Sequence, residues 1–319
     1  MGLPPLEEAP RLLARLGVPD EDAAEILAAW PSPRRDPEAW ALLERCRDTL
    51  VGDLGGTGPL PDWPAAPASE RGGARYFHVY AYLAALGDVR RWHAARGIPD
   101  DVSWASLADL GAHVALHRRI HGVGGLDAPG WLTGHFRGAI YRLGRLQFER
   151  FRIDPGRSGA GPMFWYDDAD AGRLGPGFRR GDPALSIHVP EDGPLSPDAC
   201  DRSLAWARDF FPRHFPEERF RIAVCTSWLL DDQLAEVLPA NANIVRFQRR
   251  YRLVPGALPD DESVIRFVFR REAPRVDELP RRTRLERAIV DGLRAGRHCH
   301  SRTGWLELLP PPQGSESPR

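Results

Sequence analysis

The sequence predicts an α+β (mixed α/β) fold, with an all-helical N-terminal domain over residues 1–135 and a mixed-sheet domain over residues 136–309. Two observations lead to this prediction. In the first third of the chain, apolar residues recur at three- and four-residue steps, which is the period of an amphipathic helix. After residue 136, short segments with strand-like alternation are interspersed with helical ones, in an order that does not fit a long doubly wound repeat. The Pro-rich end, residues 310–319, is predicted to be a disordered tail.

The helical period predicts helices in the first domain over residues 6–16, 20–30, 36–51, 74–96 and 103–121. We expect Asp20 and Ser103 to cap two of them, because their side-chain oxygens can accept hydrogen bonds from the free N–H groups of a helix start. Asp36 followed by Pro37 indicates a third start, since the fixed φ of proline suits the first helical position.

The second domain is predicted to mix both element types. Strands are expected within 138–153 and at 184–189, 219–229, 243–254, 263–270 and 304–309, and helices at 197–211, 231–238 and 282–295. Ser196 is the expected cap of the first of these helices, with Pro197 in its first turn.

Composition excludes several kinds of chemistry. The 319 residues contain no lysine, and all 43 basic residues are Arg, so pyridoxal phosphate enzymes, P-loop nucleotide hydrolases and protein kinases are excluded. A net charge of −1 argues against a general nucleic-acid-binding protein. The four cysteines have no CxxC spacing, which favours reduced thiols and a cytoplasmic location. No apolar run approaches 18 residues, so no membrane interaction is expected.

The strand–loop–helix segment 184–211 is the most informative local feature. A helix that starts after a strand presents backbone N–H groups and a positive dipole end, which can hold a pyrophosphate. Gly193 would let a ligand approach the backbone closely. Glu191 and Asp192 add negative charge to the same loop, and an ordinary capped helix is the alternative interpretation.

His188 and Glu149 are candidate proton-transfer residues on predicted strands. The unperturbed pKa of histidine lies near 6.5, which suits base catalysis, although a single strand histidine is more often structural. Glu149 lies between Phe148 and Phe151, and desolvation there would raise the pKa of a carboxylate and favour a role as base. The alternative is that Glu149 forms an ion pair with one of the arginines at 145, 150 and 152.

Cys225 is a candidate nucleophile, although a buried strand cysteine is more often an inert small apolar residue. Ser227 follows at the strand end, where α/β sites often gather ligand contacts.

Three further groups of residues have both a functional and a structural interpretation. His113, His117 and His121 share a helix face and can bind a metal or form a polar face, and we expect no metal site, because no HExxH or partner carboxylate pattern accompanies them. The tripeptide 298–300, His-Cys-His, is too isolated to indicate a metal site. A predicted strand carries a cluster of arginines that can bind phosphate or form a solvated sheet edge: Arg246, Arg249, Arg250 and Arg252.

Four segments resemble a bacterial family of acyltransferase-domain proteins. They are YRLGRLQFE (141–149), LSIHVPEDGPLSPDACDRS (185–203), CTSWLLDDQLAEVLPANANIVRFQRRY (225–251) and LERAIVDGLRAGRHCHSRTGWLEL (285–308). Members of this family join an all-helical N-acyltransferase N-terminal domain to a GNAT-like C-terminal domain. The resemblance covers nearly the whole chain and is clearest from about residue 136 to residue 309.

The resemblance implies where an acyl thioester would bind. Strand 184–190 would pair with the pantetheine arm of acyl-CoA, and the loop Glu191–Ser196 would hold the pyrophosphate. The cofactor-binding residues expected on this basis are Ile187, Val189, Gly193, Leu195, Ser196 and Asn243. The usual Arg/Gln-x-x-Gly-x-Gly/Ala pattern is absent from the loop, so an acyl carrier protein, which carries the same phosphopantetheine arm, is an alternative donor.

The resemblance also implies the reaction. An amine of a small molecule or peptide would attack the thioester directly, with His188 as the base and Glu149 orienting it or acting as the base through water. Helix 231–238 lacks the tyrosine that many GNAT members use as a general acid, so Ser227 or Cys225 is considered for that role. Two alternatives stay open. Cys225 would carry the acyl group covalently, or a degenerate GNAT-like protein would bind an acyl thioester or a partner protein without turnover.

Overall fold

A computed structural model describes residues 2–58, 63–67, 72–154, 167–175, 177–271 and 274–308. The chain divides into two compact units, Met1–Arg142 and Leu143–Arg319. The first unit is helical and the second contains a mixed sheet, which confirms the predicted α+β class. The domain boundary placed between residues 135 and 136 stays a prediction, and the predicted tail lies outside the described residues.

The described part of the first unit contains helices α1 (Ala9–Arg15), α2 (Asp20–Ala28), α3 (Pro37–Gly52), α4 (Phe77–Ala95), α5 (Asp100–Leu107), α6 (Asp109–His121) and α7 (Pro129–Phe136). Helix α4 is at the centre of this unit, because its first ten residues, 77–86, are all buried. A helix that is apolar on every side is expected to be surrounded by other elements.

The observed helix starts in the first unit confirm one of the three predicted caps and show that the other two were wrong. Asp36 caps α3 as predicted, and its Oδ1 accepts a hydrogen bond from the N–H of Ala39 at 3.0 Å. Asp20 is instead the first residue of α2, after Pro19 at the cap position. Ser103 is buried inside α5, where its hydroxyl lies 2.6 Å from Nδ1 of His93. The helix predicted over 103–121 is in fact two helices, because α5 ends at Leu107 and α6 begins at Asp109.

The described part of the second unit contains helices α8 (Asp168–Leu174), α9 (Pro197–His214), α10 (Gln233–Val237), α11 (Asn243–Gln248), α12 (Asp261–Val264) and α13 (Arg284–Arg294). Strand β1 (Ile140–Leu143) spans the boundary between the two units. The strands of the second unit are β2 (Leu146–Arg152), β3 (Pro183–His188), β4 (Ile222–Ser227), β5 (Arg252–Leu253), β6 (Leu258–Pro259) and β7 (His300–Glu307). The region predicted to alternate over 138–153 therefore forms two strands, separated by a turn in which Gly144 has a φ of +73°.

The described residues form a seven-stranded sheet with the order β1-β2-β3-β4-β7-β5, and β6 pairs with β7 outside this path. Strands β3 and β4 are parallel, whereas β2–β3 and β4–β7 are antiparallel pairs. Helix α9 packs on one face, where Phe211 meets Phe148 of β2 with ring centroids 6.2 Å apart. The described residues include no helix with the length and apolar character needed to cross a membrane.

Two segments that were predicted to be strands are mainly helical. Residues 243–254 form α11 and only a two-residue strand, and residues 263–270 continue α12 into a π-helical turn, Ile265–Phe269. Both segments are rich in β-branched and aromatic residues, and tertiary packing overrides that weak preference. Gln248 illustrates the reason, because its side-chain amide donates to the carbonyls of Leu229 and Asp231 and so holds α11 in place.

Candidate active site

The central sheet has one face whose character changes along the strands. At one end this face is apolar, with Phe151, Ala184 and Val224 in a single buried cluster. At the other end, where β3 and β4 finish, the same face carries polar side chains, because the register places every second residue on one side. These side chains are Gln147, Glu149, Ser186, His188, Thr226 and Thr303.

His188 and Glu149 are in contact on this polar surface. Nε2 of His188 lies 2.9 Å from Oε2 of Glu149, and the two side chains are about a quarter exposed, at 27% and 21%. The β2–β3 register explains the contact: Glu149 pairs with Ser186, so His188 is its diagonal neighbour on the same face. The structure therefore brings together the two residues that were predicted to transfer a proton.

The alternative partners considered for Glu149 have other contacts. Arg150 forms a buried ion pair with Glu218 at 2.7 Å, and Arg152 approaches the same carboxylate at 3.6 Å. Arg145 points its guanidinium at the loop after β3.

The pairing between β3 and β4 ends two residues before His188. Their register contains the pairs Leu185–Ala223 and Ser186–Val224, while β3 continues to His188 and β4 to Ser227. Parallel strands that separate leave backbone N–H and C=O groups on their facing edges, and such edges pair with extended ligands. Ile187 and Val189, two of the expected cofactor-binding residues, lie just beyond the last of these pairs.

The loop Glu191–Ser196 connects this strand end to helix α9. Gly193 is exposed, and a Cβ added there would meet no described atom within 4 Å, so contacts within the described residues do not require glycine at this position. Leu195 is buried, and Ser196 occupies the cap position of α9 ahead of Pro197, although its side chain makes no capping hydrogen bond within the described residues. The start of α9 was thus located correctly, but the hydroxyl of Ser196 does not cap it.

Cys225 lies on the opposite face of the sheet from His188. It follows Val224, which pairs with Ser186, so the alternation of β4 turns its side chain toward the α9 face. Burial raises the pKa of the Cys225 thiol to about 12, and the nearby Tyr251 hydroxyl offsets only part of this effect. A buried thiol with such a pKa remains protonated at neutral pH, which disfavours a nucleophilic role.

Ser227 and Asn243 have local structural positions. The Oγ of Ser227 accepts a hydrogen bond from the N–H of Leu229 at 3.1 Å and caps the short 3₁₀ turn after β4. Asn243 is exposed at the first residue of α11 instead of lying on a strand.

The predicted arginine strand does not exist as such. Arg246, Arg249 and Arg250 belong to α11 and its end, and Arg250 forms an ion pair with Asp201 at 2.7 Å. Arg252 lies on β5, with its guanidinium over the ring of Trp305 at 4.9 Å.

The histidines at positions 113, 117 and 121 lie on α6 as expected. His113 approaches Asp109 at 3.4 Å, and His117 lies 3.0 Å from the carbonyl of Val123. His298 of the His-Cys-His tripeptide pairs with Asp261 at 2.6 Å. The described part of the chain contains no group of three or more potential ligands suited to a metal ion.

Sequence reasoning missed two hydroxyl groups on the same face of the sheet as the His188–Glu149 pair. Thr226 and Thr303 share a hydrogen bond of 2.8 Å between their Oγ1 atoms, on the face of His188. Alternation in β4 could have identified Thr226, because residues two apart on a strand lie on the same face and Thr226 follows Val224 by two residues. Thr303 cannot be found in this way, since only the β4–β7 register brings it to the site.

Family models match both parts of the chain. The model described as an N-acyltransferase N-terminal domain matches residues 7–138. The model described as a GNAT-like C-terminal domain matches residues 140–306. No curated protein matches the chain significantly.

Solved structures resemble the chain over nearly its whole length. An acyltransferase in complex with decanoyl-CoA is 43% identical, with 96% of this chain and 89% of that chain covered and a TM-score of 0.84. A mutant acyltransferase with octanoyl-CoA is 45% identical, with coverage of 96% and 90% and a TM-score of 0.83. An acyltransferase with decanoyl-CoA and teicoplanin is 45% identical, with coverage of 97% and 92% and a TM-score of 0.82.

Proposed function

This chain belongs to the acyltransferase family that joins an N-acyltransferase N-terminal domain to a GNAT-like C-terminal domain, and from that premise we propose that it transfers an acyl group from acyl-CoA to an amine by direct attack. The observation that carries this proposal is the His188–Glu149 pair at the point where β3 and β4 separate.

The proposed donor is a medium-chain acyl-CoA. Similar solved acyltransferases hold decanoyl-CoA, octanoyl-CoA or CoA. In this chain, the edge of β3 near Ile187 and Val189 would pair with the pantetheine arm, and the Gly193 loop with the start of α9 would hold the pyrophosphate. An acyl carrier protein, which presents the same arm without the nucleotide, remains the alternative donor.

The proposed acceptor is an amine on a peptide-like molecule. One similar acyltransferase structure contains teicoplanin and another contains 10C-Teicoplanin. We therefore choose a teicoplanin-type glycopeptide with a primary amine as the first acceptor to test. A cytoplasmic location, expected from the four cysteines, stays a prediction.

His188 would act as the general base. An ammonium group is not nucleophilic, so one proton must leave the amine before or during attack on the thioester carbonyl. If Nε2–H of His188 donates to Glu149, the lone pair is on Nδ1, which then accepts that proton. Glu149 fixes this tautomer and stabilises the imidazolium as it forms, in the way a carboxylate orients a catalytic histidine.

The thioester carbon becomes tetrahedral during the attack, and its oxygen becomes negative. A backbone N–H on the diverging end of β3 would stabilise that oxyanion. Collapse of this intermediate breaks the C–S bond and forms the amide as the nitrogen loses its second proton, and CoA leaves as a thiolate that takes up a proton in its place.

Two other functions remain as alternatives. In the first, Cys225 forms an acyl-enzyme, and its burial and raised pKa count against this possibility. In the second, the protein binds an acyl thioester without turnover, an idea that rests on the acidic loop residues and the missing glycine pattern.

The test is a transfer assay with decanoyl-CoA and the glycopeptide amine. We expect acceptor-dependent release of CoA thiol, and a loss of about 10²- to 10⁴-fold in kcat for His188→Ala, as is typical of a removed general base. His298→Ala is the matched control, because His298 also contacts a carboxylate in the second unit, that of Asp261. Thiol release that does not rise with acceptor, or equal activity of both variants, would contradict the proposal.

A further inference from the structure

The loop Glu191–Ser196 is held by a guanidinium from the β1–β2 turn. Arg145 donates from Nη2 to the carbonyl oxygen of Gly193 at 2.7 Å and from Nε to that of Pro194 at 3.0 Å. We propose that Arg145 is a positioning residue for the nucleotide half of the donor. This inference rests on the proposed function, in which the same loop holds the pyrophosphate of acyl-CoA.

Arg145 is itself fixed at both ends. Its backbone N–H donates to Oγ of Ser203 at 2.9 Å, and that hydroxyl donates in turn to the carbonyl of Ala199 in α9. Its side chain is only 10% exposed. Because a guanidinium is planar and rigid, two donors from one group set the direction of both loop carbonyls together.

The direction of the carbonyls decides where the loop N–H groups point. In a trans peptide the C=O and the following N–H point in opposite directions. The carbonyl of Pro194 faces Arg145, so the N–H of Leu195 faces away from the guanidinium. This geometry applies to the Pro194–Leu195 bond, because the described residues contain no cis peptide bond. Arg145 thus orients a donor N–H just before the start of α9, where a pyrophosphate would lie.

The acidic loop side chains also have cationic neighbours. Asp192 lies 4.0 Å from Nη1 of Arg145, and Glu191 lies 3.6 Å from Nε of Arg270. A nearby opposite charge reduces the repulsion that a carboxylate exerts on an anionic ligand. The two acidic residues, which argue against anion binding on sequence grounds, are therefore compatible with it.

The experiment compares two donors that differ only in the half that the loop would hold. Decanoyl-CoA carries the pyrophosphate and nucleotide, whereas decanoyl-pantetheine lacks both. For Arg145→Met we expect KM for decanoyl-CoA to rise about 10- to 100-fold, the effect of losing an oriented hydrogen bond to a charged group. We expect kcat with decanoyl-CoA, and kcat/KM with decanoyl-pantetheine, to change less than about threefold.

Arg152→Met is the matched control. Arg152 also donates to a loop carbonyl, that of Gly181, but away from the donor loop. We expect no donor-dependent change in this variant. Arg145→Lys keeps the charge without the planar fork and should lie between wild type and Arg145→Met. If Arg145→Met does not fold, Ser203→Ala removes the backbone anchor of Arg145 and should produce a smaller effect with the same selectivity for CoA.

Calorimetric titration with CoA alone separates this inference from the proposed function. If the wild type binds CoA more tightly than Arg145→Met but transfers no acyl group, the transferase proposal is refuted while the role of Arg145 in CoA binding stands. Equal losses with both donors, equal CoA affinity of wild type and Arg145→Met, or no CoA binding by the wild type would overturn the inference.

Discussion

Replacing Glu149 by Gln removes the negative charge next to His188 while keeping the size of the side chain. The contact is a 2.9 Å hydrogen bond between partly exposed groups, 27% and 21% accessible. A hydrogen bond to a charged group contributes about 1.5–3 kcal/mol. If that energy is realised as the imidazolium forms, kcat should fall roughly 10- to 100-fold in Glu149→Gln.

A double-mutant cycle tests whether the two residues act as a unit. His188→Ala alone is expected to cost about 10²- to 10⁴-fold in kcat. Since Glu149 acts only through His188 in this mechanism, the double variant should be no slower than His188→Ala, and the coupling energy should equal the full cost of Glu149→Gln.

The assay is the initial rate of CoA thiol release from decanoyl-CoA at saturating glycopeptide amine. The matched pair is His298 and Asp261, which also form a histidine–carboxylate contact in the second unit, at 2.6 Å. Single and double changes there should leave kcat within about twofold. Multiplicative losses for Glu149→Gln and His188→Ala would refute the mechanism, because they would mean that Glu149 acts independently of His188.

Three further predictions concern buried groups. Cys225→Ala should leave kcat within about twofold, because burial raises the pKa of this thiol to about 12 and keeps it protonated at neutral pH; an acyl adduct on Cys225 by intact mass would contradict this. Burial lowers the pKa of His93 to about 3, so its contribution to the free energy of unfolding is present above pH 6.5 and is lost toward pH 3. Urea unfolding should show a loss of about 1 kcal/mol from pH 7 to 5.5 that is absent in His93→Gln. Arg150→Met leaves the buried carboxylate of Glu218 with only its longer contact to Arg152 and should lower the free energy of unfolding by about 3 kcal/mol; a cost no larger than that of Arg152→Met, the exposed and more distant partner of the same carboxylate, would contradict this.

The chain around the site could largely be predicted from the sequence. Strand β3 is predicted within one residue of its observed bounds, Pro183–His188, and α9 begins at Pro197 as its Ser-Pro signal indicates. These elements have clear local signals, an apolar run for a buried strand and a cap position followed by proline for a helix start.

The second part of the sheet domain was harder to predict. Residues 263–270 suggest a strand by composition, yet Asp260 accepts a hydrogen bond from the N–H of Ser263 at 3.2 Å and begins a helix. The acidic run at 260–262 is a helix-start signal that outweighs the β-branched residues after it. No comparable signal was available for residues 243–248, whose helical form depends on contacts with residues far away in the sequence.

The sequence by itself determined the fold class, the strand–loop–helix order of β3 and α9, and the residue types that the proposed chemistry requires. The absence of lysine excluded whole enzyme classes without any structure. Tertiary structure decided which of the candidates meet. Register turned His188 toward Glu149 and Cys225 toward the opposite face, and packing buried that thiol. It also brought Arg145 to a loop about 50 residues away. The physical reason is that strand pairing and the direction of a guanidinium depend on contacts between distant parts of the chain, which local periodicity does not encode.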